Sequence, residues 1–159
     1  MEDEILIAQA NPSDAQRMLD LILSAFAEYR GKLDPESSAF GETADSVRQA
    51  LATGEGLAAW NDGRMVGCLI LEPRGAAGLY LGRLAVDPAY RGRGIASGLA
   101  QAAEAWARRR GRFHLELNVR LALAGNIRLF ERLGYRETAR KSHPGFAHLT
   151  YLVMEKNLH

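Results

Sequence analysis

The chain of 159 residues holds one cysteine, Cys68, which excludes an internal disulfide. Neither sign of charge is in excess: 20 Lys and Arg stand against 19 Asp and Glu, a formal net charge of +1. No global field therefore draws it to nucleic acid or to a membrane surface, and any polyanionic ligand must be held by locally placed charge. No stretch approaches the roughly 20 apolar residues that cross a bilayer. The opening Met1-Glu2-Asp3-Glu4 is acidic, without the basic region and long apolar run of a signal peptide. Internal repeats, linkers and low-complexity segments are missing as well. These absences predict one soluble, cytoplasmic domain with no nucleic-acid or membrane partner.

What is present is ordinary globular material, 47% hydrophobic and 25% charged, enough to build a buried core. Glu4 to Ala8 reads as a first strand. Asn11-Pro12-Ser13-Asp14 opens a helix whose buried face is Met18, Ile22, Phe26 and Tyr29. Thr43 to Thr53 is a second helix stopped by Gly54. Strands follow at Gly56 to Trp60 and Met65 to Leu71, joined through Asp62-Gly63, and a third at Gly78 to Val86. A long helix from Gly94 to Arg110 carries Ile95, Leu99, Ala102 and Trp106 on one face. Phe113 to Val119 alternates as a strand, Asn126 to Leu133 is a short helix, and Tyr135 to Ala139 and His148 to Glu155 close the chain. The order β α α β β β α β α β β predicts an α+β fold, a mixed sheet with interspersed helices rather than a regular βαβ array.

One segment carries chemistry. Between Val86 and Gly98 a strand ends at Asp87-Pro88, and the glycine-punctuated turn Arg91-Gly92-Arg93-Gly94 feeds the helix that begins Ile95-Ala96-Ser97-Gly98. The first N–H groups of a helix lack internal acceptors and lie at the positive end of its dipole. Gly92 and Gly94 let a phosphate approach those amides, and Arg91 and Arg93 add formal charge. A Gly-rich turn before a helix is common in itself; the coincidence of strand, proline, paired arginines, paired glycines and small residues points to a diphosphate cradle. A nucleotide P-loop would need Gly-Lys-Ser/Thr, and a dinucleotide turn would need glycine at 97, where Ser97 stands, after the first strand of a βαβ unit.

The turn Arg91-Gly92-Arg93-Gly94-Ile95-Ala96 resembles the Q/R-x-x-G-x-G/A signature of the GNAT superfamily of N-acetyltransferases. Leu84-Ala85-Val86-Asp87-Pro88 is similar to the strand leading into it, and Leu129-Phe130-Glu131-Arg132-Leu133-Gly134-Tyr135 to the family's later L-Y-E-K-L-G-F segment. The likeness runs roughly from Ile5 to Lys156. It implies a mostly antiparallel sheet of about seven strands with splayed middle strands, flanked by about four helices. It also implies an acetyl-CoA-dependent N-acetyltransferase acting on a primary amine of a small molecule or peptide by direct attack on the thioester. The alternative is a CoA-binding module without transferase activity, and a third possibility is an interaction domain whose turn binds another anion. No metal is expected, and a homodimer is possible.

The resemblance also implies roles. Arg91, Gly92, Arg93, Gly94, Ile95, Ala96 and Ser97 would bind the CoA diphosphate. The backbone of Leu84, Ala85 and Val86 would pair with the pantetheine arm, in a V-shaped slot against the Phe113–Val119 strand. Gly82 either marks a bulge that aims an N–H at the thioester carbonyl or packs against a neighbour. Amine attack needs a base, because a free ammonium has a pKa of roughly 10.4. Glu116 and Glu72 are the carboxylate candidates, each equally an exposed strand residue. The family often has a tyrosine as general acid where this chain has Phe130, so Phe130 serves only to bind cofactor, and Tyr135 or Tyr151 is a possible replacement. Asn126 either touches the cofactor or caps its helix, the cap being slightly favoured. On the acceptor side, Tyr29, Glu72 and His148 are the candidates, with Asp34, Glu36, Glu42 and His143 nearby in sequence. Cys68, in a buried-looking strand, is expected to be core rather than nucleophile.

Overall fold

A computed structural model describes residues 4–159. Seven strands form one sheet in the order β1-β2-β3-β4-β5-β7-β6: β1 Leu6–Ala10, β2 Glu55–Asn61, β3 Arg64–Arg74, β4 Gly78–Val86, β5 His114–Arg120, β6 Arg136–Lys141 and β7 Tyr151–Asn157. Four α-helices accompany them: α1 Ala15–Phe26, α2 Ala44–Thr53, α3 Ile95–Arg109 and α4 Ala124–Arg132. Every neighbouring pair of strands is antiparallel except β4 and β5.

The sheet is covered on both faces. Leu69, Leu71, Leu79, Leu81, Leu115, Leu117 and Met154 pack with Leu99, Ala103 and Ala107 of α3 and Phe130 of α4. On the other face Ala58, Cys68, Ile70 and Ala85 meet Met18 and Ile22 of α1 and Val47 and Leu51 of α2. Each of these side chains is under about a tenth exposed, and alternation along β3 and β4 divides them between the two layers. The helix α3 lies close over β3 because position 67 is glycine. A methyl group there would stand 2.7 Å from Ile95 Cγ2 and 3.0 Å from Leu99 Cδ1.

Local chemistry sets the helix starts. Asn11 N–H donates to the Asp14 carboxylate at 2.9 Å, holding the short 3₁₀ turn that precedes α1. Thr43 and Ser46 exchange side-chain and backbone bonds at the start of α2, a capping box. Several boundaries differ from the sequence reading: α1 is Ala15–Phe26 with short 3₁₀ turns on either side, β3 runs on to Arg74, and β5 and β6 are His114–Arg120 and Arg136–Lys141. The first strand runs Leu6–Ala10 because it follows β2 from Trp60 to Gly56. The last begins at Tyr151, since residues 142–150 are occupied by the turn that joins it to β6. Asn126 does not cap α4: Leu123 does, its carbonyl accepting Asn126 N–H at 3.0 Å, and Asn126 sits inside the first turn.

The middle of the sheet opens. β4 and β5 pair only where Gly78, Leu79 and Tyr80 meet His114, Leu115 and Glu116. Beyond that rung β4 continues to Val86 and β5 to Arg120 without pairing, so the strands splay and leave a V-shaped gap. A second irregularity lies beside it. Cys68 pairs with Ala85 and Ile70 with Gly82, so Leu69 alone faces both Arg83 and Leu84. That is a β-bulge, and Arg83 adopts φ +53°, a left-handed conformation unusual for a residue with a side chain.

Candidate active site

The V is the inner part of a cleft of about 970 Å³. The turn that follows β4 forms one end of it. Asp87 holds that turn in place: its backbone N–H donates to Val66 O at 2.9 Å, and its carboxylate accepts from Ala89 N–H at 2.9 Å and from Arg64 at 2.8 Å. Tyr90 accepts from the Asn61 side chain at 3.1 Å, and Arg93 lies 4.7 Å from the Tyr90 ring centroid. Gly92 and Gly94 have φ of +78° and +77°, and nothing lies within 4 Å of where their Cβ atoms would stand. The space beside both glycines is therefore unfilled. The first helical bond of α3 runs from Gly98 N–H to Gly94 O at 2.9 Å, leaving the N–H groups of Ile95, Ala96 and Ser97 without an intrahelical acceptor. These amides, the helix dipole and the two arginines suit a diphosphate.

The outer wall at this end comes from α1. Arg91 pairs with Glu28 at 2.7 Å and reaches Ala25 O at 3.4 Å, tying the turn to the end of that helix. The Arg91 guanidinium holds the Glu28 carboxyl below the usual range. Tyr29 lies beside Glu28 and Asn126, and burial, with Glu28 next to it, raises its pKa. The opposite end is walled by the segment between α1 and α2 and by the β6–β7 hairpin. Arg83 donates to Ser38 Oγ at 3.1 Å and to Glu42 at 3.3 Å, and Arg120 donates to Pro35 O at 2.5 Å. Both arms of the V thus grip the same loop. Burial and the nearby Arg120 cation lower the pKa of His143, which faces the cleft from the hairpin.

Leu84, Ala85, Val86, Arg91, Ala96, Asn126, Phe130, Tyr29 and Glu72 all line this cleft. Gly92, Arg93, Gly94, Ile95 and Ser97 form the turn and helix start at its end, although the Ile95 side chain is buried and packs over Gly67. Three other candidates stand elsewhere. Glu116 is on the sheet beside the cleft, its carboxylate bound to Arg74 at 2.6 Å. The Tyr135 hydroxyl is buried without a hydrogen-bond partner behind Phe130, the two rings meeting edge to face at 5.7 Å. Burial raises the Tyr135 pKa, so the group stays protonated. His148 is exposed on the β6–β7 hairpin, its carbonyl accepting from Ser142 at 2.7 Å.

The two carboxylate candidates therefore differ. Glu72 lines the cleft, and its carboxylate has no hydrogen-bond or ion-pair partner among the described residues, whereas that of Glu116 is already paired. His114, Glu116 and Glu155 bring potential ligand atoms within 4.8 Å of one another, with His114 2.7 Å from Glu155 and Arg74 on Glu116. Sequence reasoning passed over Tyr80, Arg83, Asn118 and Arg120, all on the cleft wall. Gly82 signalled the bulge beside Arg83; nothing local signalled the other three, which reach the cleft only through strand pairing.

The family model for the Acetyltransferase (GNAT) family matches residues 16–135. No curated protein sequence matches the chain significantly. Among solved structures, the ribosomal-protein-S18-alanine N-acetyltransferase of Escherichia coli superposes with TM-score 0.80 at 19% identity, covering 98% of this chain and 94% of that one. The PaiA N-acetyltransferase of Thermoplasma acidophilum, in complex with coenzyme A, gives 0.81 at 18% identity, with 97% and 99% covered. A putative N-acetyltransferase from Lactobacillus plantarum gives 0.72 at 27% identity, with 99% of each chain covered. The splayed α+β sheet and the match across most of its length place this chain in the GNAT acetyltransferase family.

Proposed function

We propose that the protein transfers an acetyl group from acetyl-CoA to a primary amine of a small molecule or peptide. The observation that carries this reading is the unpaired V between β4 and β5, with the open Gly92–Gly94 turn at its wide end. The turn amides and Arg93 hold the diphosphate, and the free edge of β4 at Leu84, Ala85 and Val86 offers backbone groups to the amides of the pantetheine arm. The bulge at Arg83 and Leu84 takes an amide out of the ladder, where it meets the charge that develops on the thioester oxygen. Asn126 and Phe130 face the arm from α4.

Glu72 is the better base of the two carboxylates. It stands on the cleft wall with its oxygens uncommitted, while Glu116 would first have to leave Arg74. Glu72 accepts the ammonium proton directly or through water, and the neutral amine attacks the thioester carbonyl. Acceptors enter between the loop gripped by Arg83 and Arg120 and the hairpin carrying His143 and Tyr151.

Binding of CoA without turnover is the alternative, and one observation favours it: the ring that lines the cleft at position 130 is Phe and has no proton to give a departing thiolate. A CoA thiolate resembles a thiol of pKa roughly 8.5 and leaves without that help. The test is thiol release from acetyl-CoA across a panel of small amines and short peptides. Release stimulated by an amine, with the acetylated product found by mass spectrometry, supports transfer. CoA binding with no stimulated release by any amine supports the alternative.

A further inference from the structure

The V has an inner end, and Tyr80 occupies it. The strands last pair at Tyr80 and Glu116, so the gap between them closes there. Tyr80 alternates with Leu79 and Leu81, which face the α3 layer, so its side chain stands on the α1/α2 side of the sheet. The ring leans along β4 toward the opening: a methyl group on Gly82 would lie 3.2 Å from its Cε1. Its hydroxyl faces the backbone amide of Asn118 on the other arm. The Arg74 guanidinium sits 4.6 Å from the ring centroid and is itself held by Glu116 at 2.6 Å. The glycine at 82 leaves the space into which the ring leans, Arg74 covers one of its faces, and the Asn118 amide meets its hydroxyl.

This position bears on the acyl donor. Resting on the reading above, the diphosphate lies at the Gly92–Gly94 turn and the pantetheine arm runs along Leu84 to Val86, so the acyl end points toward the closed end of the V. We propose that Tyr80 is the stop that restricts the donor to acetyl, because each further methylene would have to occupy the space its ring fills. The chemical class excluded is the longer linear acyl-CoA, butyryl and above. Glu116 then acts as a positioning residue, fixing Arg74 over the ring rather than touching substrate.

The experiment is calorimetric titration of the full chain with CoA, acetyl-CoA and butyryl-CoA, which needs no acceptor. The wild type is expected to bind butyryl-CoA about tenfold or more weaker than acetyl-CoA. Tyr80→Ala should bring the two affinities together, Tyr80→Leu should do so in part, and Tyr80→Phe, which keeps the ring, should retain the wild-type ratio. Equal affinities in the wild type, or an unchanged ratio in Tyr80→Leu and Tyr80→Ala, would overturn the proposal while leaving the transferase reading intact. Should Tyr80→Ala fail to fold, the wild-type ratio and Tyr80→Leu decide the matter. No binding of CoA itself overturns both.

Discussion

At the scale of single residues, the cleft contains side chains whose environments dictate distinct behaviour. Arg83 adopts a left-handed backbone, which costs a non-glycine residue roughly 1–2 kcal/mol. Its bonds to Ser38 and Glu42 hold it there. Arg83→Ala keeps the strain and loses those bonds, whereas Arg83→Gly loses the bonds and relieves the strain. Urea denaturation should therefore find Arg83→Gly more stable than Arg83→Ala by about 1 kcal/mol. The reverse order would mean that φ at this residue is not positive in solution.

Cys68 makes a simpler case. Fully buried, its thiol is pushed up to about 12. The reactive thiolate is then scarce at neutral pH, and labelling by a thiol reagent should be undetectable in the native protein and complete in denaturant. Fast native labelling would show that β3 opens. Glu72 and Glu116 separate by their partners. Glu72→Gln is expected to lower kcat about 100-fold with little change in KM, and Glu116→Gln to retain most of the activity with acetyl-CoA. Steady-state rates with the best amine from the panel check both.

At the scale of elements, α3 is the part on which the turn depends. Its first residue, Ile95, and Leu99 rest on Gly67 of β3, closer than any side chain there would allow. Gly67→Ala forces the start of the helix outward, and a cost of about 1–3 kcal/mol is expected from overpacking. Because the same residues lead out of the Gly92–Gly94 turn, CoA affinity should fall along with thermal stability. Loss of stability with affinity unchanged would separate the turn from the packing beneath it. The turn itself was readable because its chemistry is local: proline, glycine and arginine act within a dozen consecutive residues. The same holds for β4, whose bounds at Gly78 and Val86 follow from the turn residues on either side.

Other elements were less legible, for a physical reason. Whether a strand begins at Glu4 or Leu6 is settled by its pairing with β2, not by its own sequence. Asn126 looked like a cap because asparagine favours that place, yet the Leu123 carbonyl starts the helix three residues earlier. Glu116 and Glu72 look alike in sequence as strand carboxylates. Only the placement of Arg74, at the far end of β3, tells them apart, since it pairs with Glu116 and not with Glu72.

At the scale of the whole molecule, the cleft is assembled from α1, the loop before α2, α2 itself, β3, β4, the start of α3, β5, α4 and the final hairpin, so no segment contains it. The order of elements and the mixed sheet follow from periodicity and turn signals along the chain, and the splay was implied by likeness to the family. The closing of the V by Tyr80 and the grip of Arg83 and Arg120 on one loop are long-range facts that a linear reading does not reach. Among the described residues, no helix is long and apolar enough to cross a membrane. The outer strand β6 is edged by Arg136, Glu137, Arg140 and Lys141, charges that discourage a further strand from pairing there.

The central claim is that the turn and the V bind CoA as one site. Calorimetric titration of the wild type and of Gly94→Trp with CoA, desulfo-CoA and inorganic phosphate tests it most directly. Gly94 has positive φ and open space beside it, so an indole there would fill the place proposed for the diphosphate. The expected result is CoA and desulfo-CoA binding to the wild type far tighter than phosphate, and loss of both in Gly94→Trp with the fold intact by circular dichroism. A wild type that binds phosphate but not CoA, or a folded Gly94→Trp that binds CoA as tightly as the wild type, would contradict it.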